Sequence, residues 1–153
     1  MRTYLMLAAV LVGAVAIGAG SATAADPAAR TCFDGAWRSL QTDSGATFDN
    51  QGSCLKYAKA GGVLYSPKLI VVSTCSLYLG LTGTGFHPNS QLTLTLDGGT
   101  FAATGTNTKT SGPTDAQGTF IISPVVASAT PPVTVRVTDA AGVSATGTAL
   151  FAC

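Results

Sequence analysis

The sequence contains no glutamate, and charged residues make up only 10% of its 153 residues. Eight lysines and arginines nearly balance seven aspartates, so the formal net charge is +1. Nucleic-acid binding and electrostatic docking on anionic membranes both demand clustered basic residues, so this sparse charge argues against either kind of partner. Solubility must come from hydroxyl groups and exposed backbone, and the abundant threonine also favours strands.

The sequence has one histidine, His87, which limits the chemistry it can perform. Nucleophilic catalysis needs a base oriented by a third group, and we interpret His87 as an exposed histidine in a loop between strands. No Cys-x-x-Cys pair suggests a zinc site. Asp97, Asp115 and Asp139 lack the alternate spacing of a calcium loop and fit turn positions. We therefore predict no catalytic, cofactor-binding or metal site and a protein that is not an enzyme.

Only one long apolar stretch occurs, from Leu5 to Ile17. Arg2 precedes it and Ala22-Thr23-Ala24 follows as an A-x-A cleavage pattern. The stretch is shorter than the roughly 20 residues of a bilayer span. We predict that residues 1–25 are a secretory signal peptide and that the protein is extracellular, with no membrane span after cleavage; an uncleaved N-terminal anchor is the alternative. Residues 26–30 then form a disordered lead-in.

All four cysteines, Cys32, Cys54, Cys75 and Cys153, follow the signal peptide and can form disulfides outside the cell. Four cysteines allow three pairings. We favour Cys32–Cys54, which closes the N-terminal part on itself, together with Cys75–Cys153, which ties the entry strand of the second part to its exit strand. In the alternative, Cys54–Cys75 or Cys32–Cys75 joins the two parts.

The N-terminal part, residues 26–62, is expected to contain one short helix, at about 51–60. Asp49 or Asn50 can cap its start, and Gly61 can supply a left-handed exit. Helices shorter than roughly 12 residues rarely hold alone in water. A disulfide through Cys54 would therefore have to pin this one.

Three aromatic residues, Trp37, Phe48 and Tyr57, form either a sugar-stacking platform or, as we favour, a small core over the disulfide. The surrounding stretches, Cys32-Phe33-Asp34-Gly35-Ala36-Trp37 and Phe48-Asp49-Asn50-Gln51-Gly52-Ser53-Cys54, resemble a short cysteine module of exported bacterial proteins. That module reads Cys-x-x-Gly-x-Trp and then Phe-x-Asn-Gln-Gly-x-Cys. The resemblance implies export by a bacterium and no particular biochemical activity.

The second part, residues 66–153, reads as a series of strands separated by turn signals. Apolar residues alternate with polar ones from Leu92 to Leu96 and from Val133 to Val137, the period of a half-buried strand. Roughly seven short strands at hairpin-like spacing predict an antiparallel sandwich, and no helical period supports a parallel α/β fold. The other strand-like runs are Leu69–Val72, Leu77–Leu81, Phe101–Gly105, Phe120–Ile122 and Val143–Phe151.

Two stretches of this part, Gly83-Thr84-Gly85-Phe86-His87-Pro88-Asn89-Ser90 and Asp115-Ala116-Gln117-Gly118-Thr119-Phe120, resemble bacterial immunoglobulin-like domains. Such domains read Gly-x-Gly-Phe-x-Pro-x-Ser and later Asp-x-x-Gly-x-Phe. The resemblance implies an immunoglobulin-like β-sandwich. It leaves function open, because these domains serve as spacers, adhesins and binding modules. Some small secreted relatives bind small apolar molecules in a cleft between the sheets.

The sequence therefore predicts a mostly β protein with a disulfide-closed N-terminal segment and an immunoglobulin-like sandwich. Its expected function is that of a secreted, non-catalytic binding or structural module, with a cell-envelope glycan or protein as candidate partner. The alternatives are a small secreted inhibitor or small-molecule carrier, and an unrecognised enzyme. A sandwich cleft that can hold a small apolar molecule would favour the carrier.

Overall fold

The computed structural model describes residues 27–74 and 78–150. Two short helices and a 3₁₀ turn precede six strands in this part of the chain, and every strand pairing is antiparallel. The mostly β, antiparallel fold is thus confirmed. None of the helices in these ranges has the length and hydropathy needed to cross a membrane. The elements are α1 (Pro27–Arg30), the 3₁₀ turn (Ala36–Ser39), α2 (Gln51–Lys59), β1 (Lys68–Ser73), β2 (Tyr78–Thr84), β3 (Gln91–Phe101), β4 (Thr108–Pro113), β5 (Phe120–Asp139) and β6 (Ser144–Ala149).

The long strand β5 belongs to two sheets. Its first half, from Phe120 to Val126, pairs with β2, which pairs with β1. Its second half, from Ala127 onward, pairs with β3 and then also with β6, and β3 pairs with β4. The sequence predicts short, separate strands at Phe120–Ile122 and Val133–Val137. They are one strand because residues between them continue to pair, first with β2 and then with β3.

The main core lies between the two sheets and follows from the alternation of their strands. Leu92, Leu94 and Leu96 of β3 are buried, and so are Leu79 and Leu81 of β2. Each such side chain contributes about 1.5–3 kcal/mol by leaving water. The valines of β5 and Phe101 complete this cluster, namely Val125, Val133, Val135 and Val137.

The two sheets close along one side, where β1 packs against β6. Val71 of β1 packs over Gly147 of β6, and the Ser73 hydroxyl donates to the Leu150 carbonyl at 2.8 Å. Leu69 and Val71 also pack against the main core. These contacts close the side of the sandwich that β1 and β6 form.

The predicted strand at Phe101–Gly105 is wrong beyond its first residue. Strand β3 ends at Phe101, whose carbonyl oxygen accepts the N–H groups of Thr104 and Gly105 and so starts a turn. Strand β4 was not predicted, because Thr108–Pro113 has no apolar alternation. It forms through its hydrogen bonds to β3 alone, which is typical of an edge strand.

The N-terminal segment has a small core of its own around the Cys32–Cys54 disulfide, which confirms that pairing. Helix α2 begins after Asn50, whose side chain accepts the Ser53 N–H at 2.9 Å in a capping box, and Gly61 follows with a positive φ of 84°. Residues 27–30 are helical rather than a disordered lead-in, because Ala29 is buried and α1 packs against α2. The predicted partners Cys75 and Cys153 lie outside the described residues.

Candidate functional site

A groove opens between β4 and the first half of β5, on the side of the sandwich away from β1 and β6. Among the described residues, strand β4 pairs only with β3 and the first half of β5 pairs only with β2, so two strand edges that are unpaired within these ranges border this opening. The groove has a volume of about 830 Å³. We call it the edge groove.

One wall of the edge groove is apolar and comes from the start of β5. Phe120 is only 7% exposed, and its ring lies edge-on to that of Phe86, with centroids 5.4 Å apart. Ile122 packs against the main core, while Ile121, on the other face of the strand, is 81% exposed. The wall therefore offers apolar surface that is anchored in the core.

The other wall, from β4 and the loop after it, is polar and rigid. Thr114 is buried; its hydroxyl accepts the Ser90 N–H at 2.9 Å and donates to the His87 carbonyl. Asp115 accepts the N–H groups of Gln117 at 2.9 Å and Thr119 at 2.8 Å, and the Thr119 hydroxyl at 2.8 Å. This confirms the predicted turn at Asp115–Gly118 and places a fixed carboxylate at one end of the groove.

The pKa of Asp115 is lowered, first by the hydrogen bond from the Thr119 N–H and next by the Thr119 hydroxyl. Hydrogen bonds to the charged form favour ionisation. This carboxylate therefore stabilises the folded state at pH values above its ordinary pKa. That contribution is lost as the pH falls through the lowered pKa of the folded state. Asp115 is thus ionised at neutral pH and has no proton to donate there.

We expect Thr119→Val to move the titration midpoint of Asp115 back toward its ordinary value of 3.8, because valine lacks the hydroxyl donor but keeps the backbone N–H. NMR titration of the side-chain carboxyl measures the midpoint. Thr104→Val, in a different turn, is the matched control and should leave it unchanged. A wild-type midpoint at or above 3.8 would contradict the assignment.

A second polar cluster lies under the loop that carries His87. The Asp139 side chain is fully buried, and its Oδ1 accepts the N–H groups of Ala141, Gly142 and Val143, each at 3.0 Å. Its Oδ2 accepts the His87 backbone N–H at 3.0 Å and lies 2.8 Å from His87 Nδ1. One carboxylate therefore closes the β5–β6 turn and holds the His87 loop against it.

The environment of His87 differs from the exposed loop position that the sequence suggested. Its side chain is only 20% exposed, and the Tyr65 ring lies over it with centroids 3.9 Å apart. The pKa of Tyr65 is raised by burial first, and then by the negative charges of Asp139 and Asp43. Within residues 27–74 and 78–150, no hydroxyl hydrogen-bonds to the imidazole, so the His87–Asp139 pair has no third member there.

The sequence predicts a turn position for Asp139, and it also contains a signal for the second role of this side chain. It continues the phase of Val133, Val135 and Val137, all of which point into the core. An aspartate in phase with a buried stripe needs several donors to offset its desolvation. His87 supplies two of them, and this partnership was not visible in the sequence.

The remaining candidate residues have structural roles. Trp37 and Phe48 pack against the disulfide core, and the Phe48 ring lies 5.6 Å from that of Tyr57. The Tyr57 hydroxyl donates to Asp43 at 2.8 Å. Within the described ranges, Asp97, Asp115 and Asp139 do not gather into a group that could hold a metal ion.

Neither a protein-family model nor a curated protein matches the chain. Among solved structures, one titled macromomycin aligns at a TM-score of 0.42 and 16% identity, covering 56% of this chain and 99% of that chain. A likeness at this level carries no argument about function. The assignment of function therefore depends on the geometry of the grooves.

Proposed function

We propose that this is an exported protein that binds a small, mainly apolar molecule in the edge groove and does not transform it. The observation that carries the proposal is the groove itself, an opening of about 830 Å³ at the free edges of β4 and β5. Small-molecule sites typically measure about 300–1,000 Å³ and combine apolar walls with a few polar groups. The existence of such a groove favours the carrier over a purely structural module.

The two walls suggest the chemistry of the ligand. The exposed Ile121 and the half-buried Ile122 offer most of the apolar surface, with Phe120 packed beside them, and the Ser111 and Ser123 hydroxyls offer hydrogen bonds. The ligand that suits both is a molecule with an apolar, ring-containing body and a small number of hydroxyl or amine groups. An amine would also meet the ionised Asp115 at the end of the groove.

Binding without catalysis is supported by the groups that line the groove. The chain's single histidine is not among them, and its Nδ1 faces Asp139 instead. The carboxylate that does line the groove, Asp115, has a lowered pKa and is therefore a poor general acid at neutral pH. Export is supported by the signal-peptide pattern of residues 1–25 and by the Cys32–Cys54 disulfide.

We expect Gly112→Phe to weaken binding of a neutral apolar dye in the edge groove. Gly112 lines the groove, and a Cβ added there meets no atom within 4 Å, so a larger side chain starts in open space beside the groove. Nile red is a suitable probe, because its fluorescence rises in an apolar site and it carries no net charge. The loss of affinity should be about tenfold or more.

The matched control is Thr110→Phe, which adds the same ring to β4 at a position outside the groove lining. It should leave dye binding unchanged. If the wild type shows no saturable fluorescence, or if both variants bind equally well, the edge groove is not a ligand site.

A further inference from the structure

A second groove lies where the N-terminal segment docks on β6. The Gln41 side chain is clamped there: its Nε2 donates to the Ser144 carbonyl at 2.7 Å and its Oε1 accepts the Ser144 N–H at 2.9 Å. Gly45 packs so closely on the Gly142 backbone that a Cβ would clash with the Gly142 carbonyl. The docking is therefore rigid and leaves an opening of about 680 Å³, which we call the junction groove.

Of the described residues that line the junction groove, two are cationic and none is a carboxylate. Lys68 comes from the start of β1 and Arg136 from the second half of β5. Both are exposed, and neither forms an ion pair with a carboxylate of residues 27–74 or 78–150. Asp97 pairs with Thr134 of β5, two residues before Arg136, and it forms no ion pair with either cation. Lys68 and Arg136 thus give the groove positive charge that is not ion-paired among the described residues, and such charge attracts anions.

The rest of the lining is rich in hydroxyl groups and lacks an aromatic ring. Ser39, Thr47, Ser144 and Thr146 contribute the hydroxyls. Without an aromatic ring, a groove cannot bind a sugar by stacking a ring against the face of the sugar. Recognition there must rest on hydrogen bonds and charge, and arginine matches a carboxylate with two parallel N–H donors.

A face of hydroxyl groups continues from the groove across the second sheet. Arg136 lies between Thr95 of β3 and Thr146 of β6, and the next row pairs Thr93, Thr138 and Ser144. None of these threonines is buried. An extended, polyhydroxylated ligand that begins in the junction groove can therefore continue along this face.

From this arrangement we propose that the junction groove is a second binding site, which takes a saccharide bearing carboxylate groups. Arg136 and Lys68 bind the carboxylates, and the hydroxyls of Thr146 and Ser144 bind sugar hydroxyls. A peptide of acidic residues carries the same charge but offers the row of hydroxyl groups fewer hydrogen-bonding groups per residue than a sugar does. This site is separate from the edge groove and does not depend on its ligand.

Titration of the full chain with a galacturonic acid tetramer, followed by NMR of the backbone amides, tests the proposal. The tetramer should shift the amides of Gln41, Ser144 and Thr146 in a saturable way. It should bind about tenfold or more tightly than its methyl ester, which has the same sugars without charge, and than a tetraglutamate peptide. Nile red bound in the edge groove should not be displaced, so the two sites can fail independently.

The substitution series uses Arg136→Gln, which should weaken binding about tenfold, and Lys68→Gln/Arg136→Gln, which should remove it. Lys56→Gln/Lys59→Gln removes the same charge from the exposed face of α2 and should leave affinity unchanged. Equal binding of the methyl ester, equal or tighter binding of tetraglutamate, shifts confined to other surfaces, or retained affinity in the Lys68/Arg136 double variant would each overturn the proposal.

Discussion

Replacing Asp139 with alanine is expected to lower the free energy of unfolding by about 3–5 kcal/mol. The buried carboxylate accepts three N–H groups of the β5–β6 turn and two donors of His87. Alanine leaves those donors without a partner inside the protein, and each unsatisfied buried group costs about 1–3 kcal/mol. Urea denaturation followed by circular dichroism measures the loss.

A second variant, Asp139→Asn, separates the two roles of this side chain. Its carbonyl oxygen still accepts the three turn N–H groups, but its amide group now faces the His87 backbone N–H. We expect a smaller loss, of about 1–3 kcal/mol. Asp97→Ala, at an exposed aspartate, is the control and should change stability by no more than about 0.5 kcal/mol. A loss for Asp139→Ala as small as that of the control would show that the network does not hold the loop.

The parts of the fold that the sequence predicted are those set by local signals. The alternation of Leu92, Leu94 and Leu96 marked β3, because a strand with one buried face has a period of two. Asn50 and Gly61 marked the ends of α2 for an equally local reason, since each satisfies the backbone at a helix terminus. Strand β4 has neither signal and is defined by its partner β3.

The two grooves could not be predicted from the sequence, because each is formed by elements that come together only in the folded sheets. Lys68 and Arg136 come together because β1 closes on β6, which pairs with β5. The edge groove exists because β5 changes sheets, and within residues 27–74 and 78–150 no strand pairs with the other side of its first half. Periodicity reports which face of a strand is buried but not which strand lies next to it.

Removal of the Cys32–Cys54 disulfide is expected to unfold the N-terminal segment while leaving the sandwich intact. The buried part of its core is small, consisting of the two cysteines, Leu40 and Ala58. A cross-link between residues that are 22 positions apart adds about 3 kcal/mol to the free energy of unfolding, because it restricts the unfolded chain. Helix α2 has nine residues and would be marginal without it.

Hydrogen exchange of the double variant Cys32→Ala/Cys54→Ala measures this effect residue by residue. Because about 1.4 kcal/mol corresponds to a tenfold change, amides of α2 should lose protection by about two orders of magnitude. Amides of β3 and of the second half of β5 belong to the other core and should keep theirs. Reduction of the wild type keeps the cysteine side chains in place, so comparing it with the variant separates the effect of the cross-link from that of side-chain packing.

Retained protection in α2 would show that Leu40, Ala58 and their neighbours suffice to keep the N-terminal segment folded. Equal loss in β3 would show that the two cores unfold as one unit, in which case the docking through Gln41 and Gly45 couples the stability of the junction groove to that of the whole sandwich.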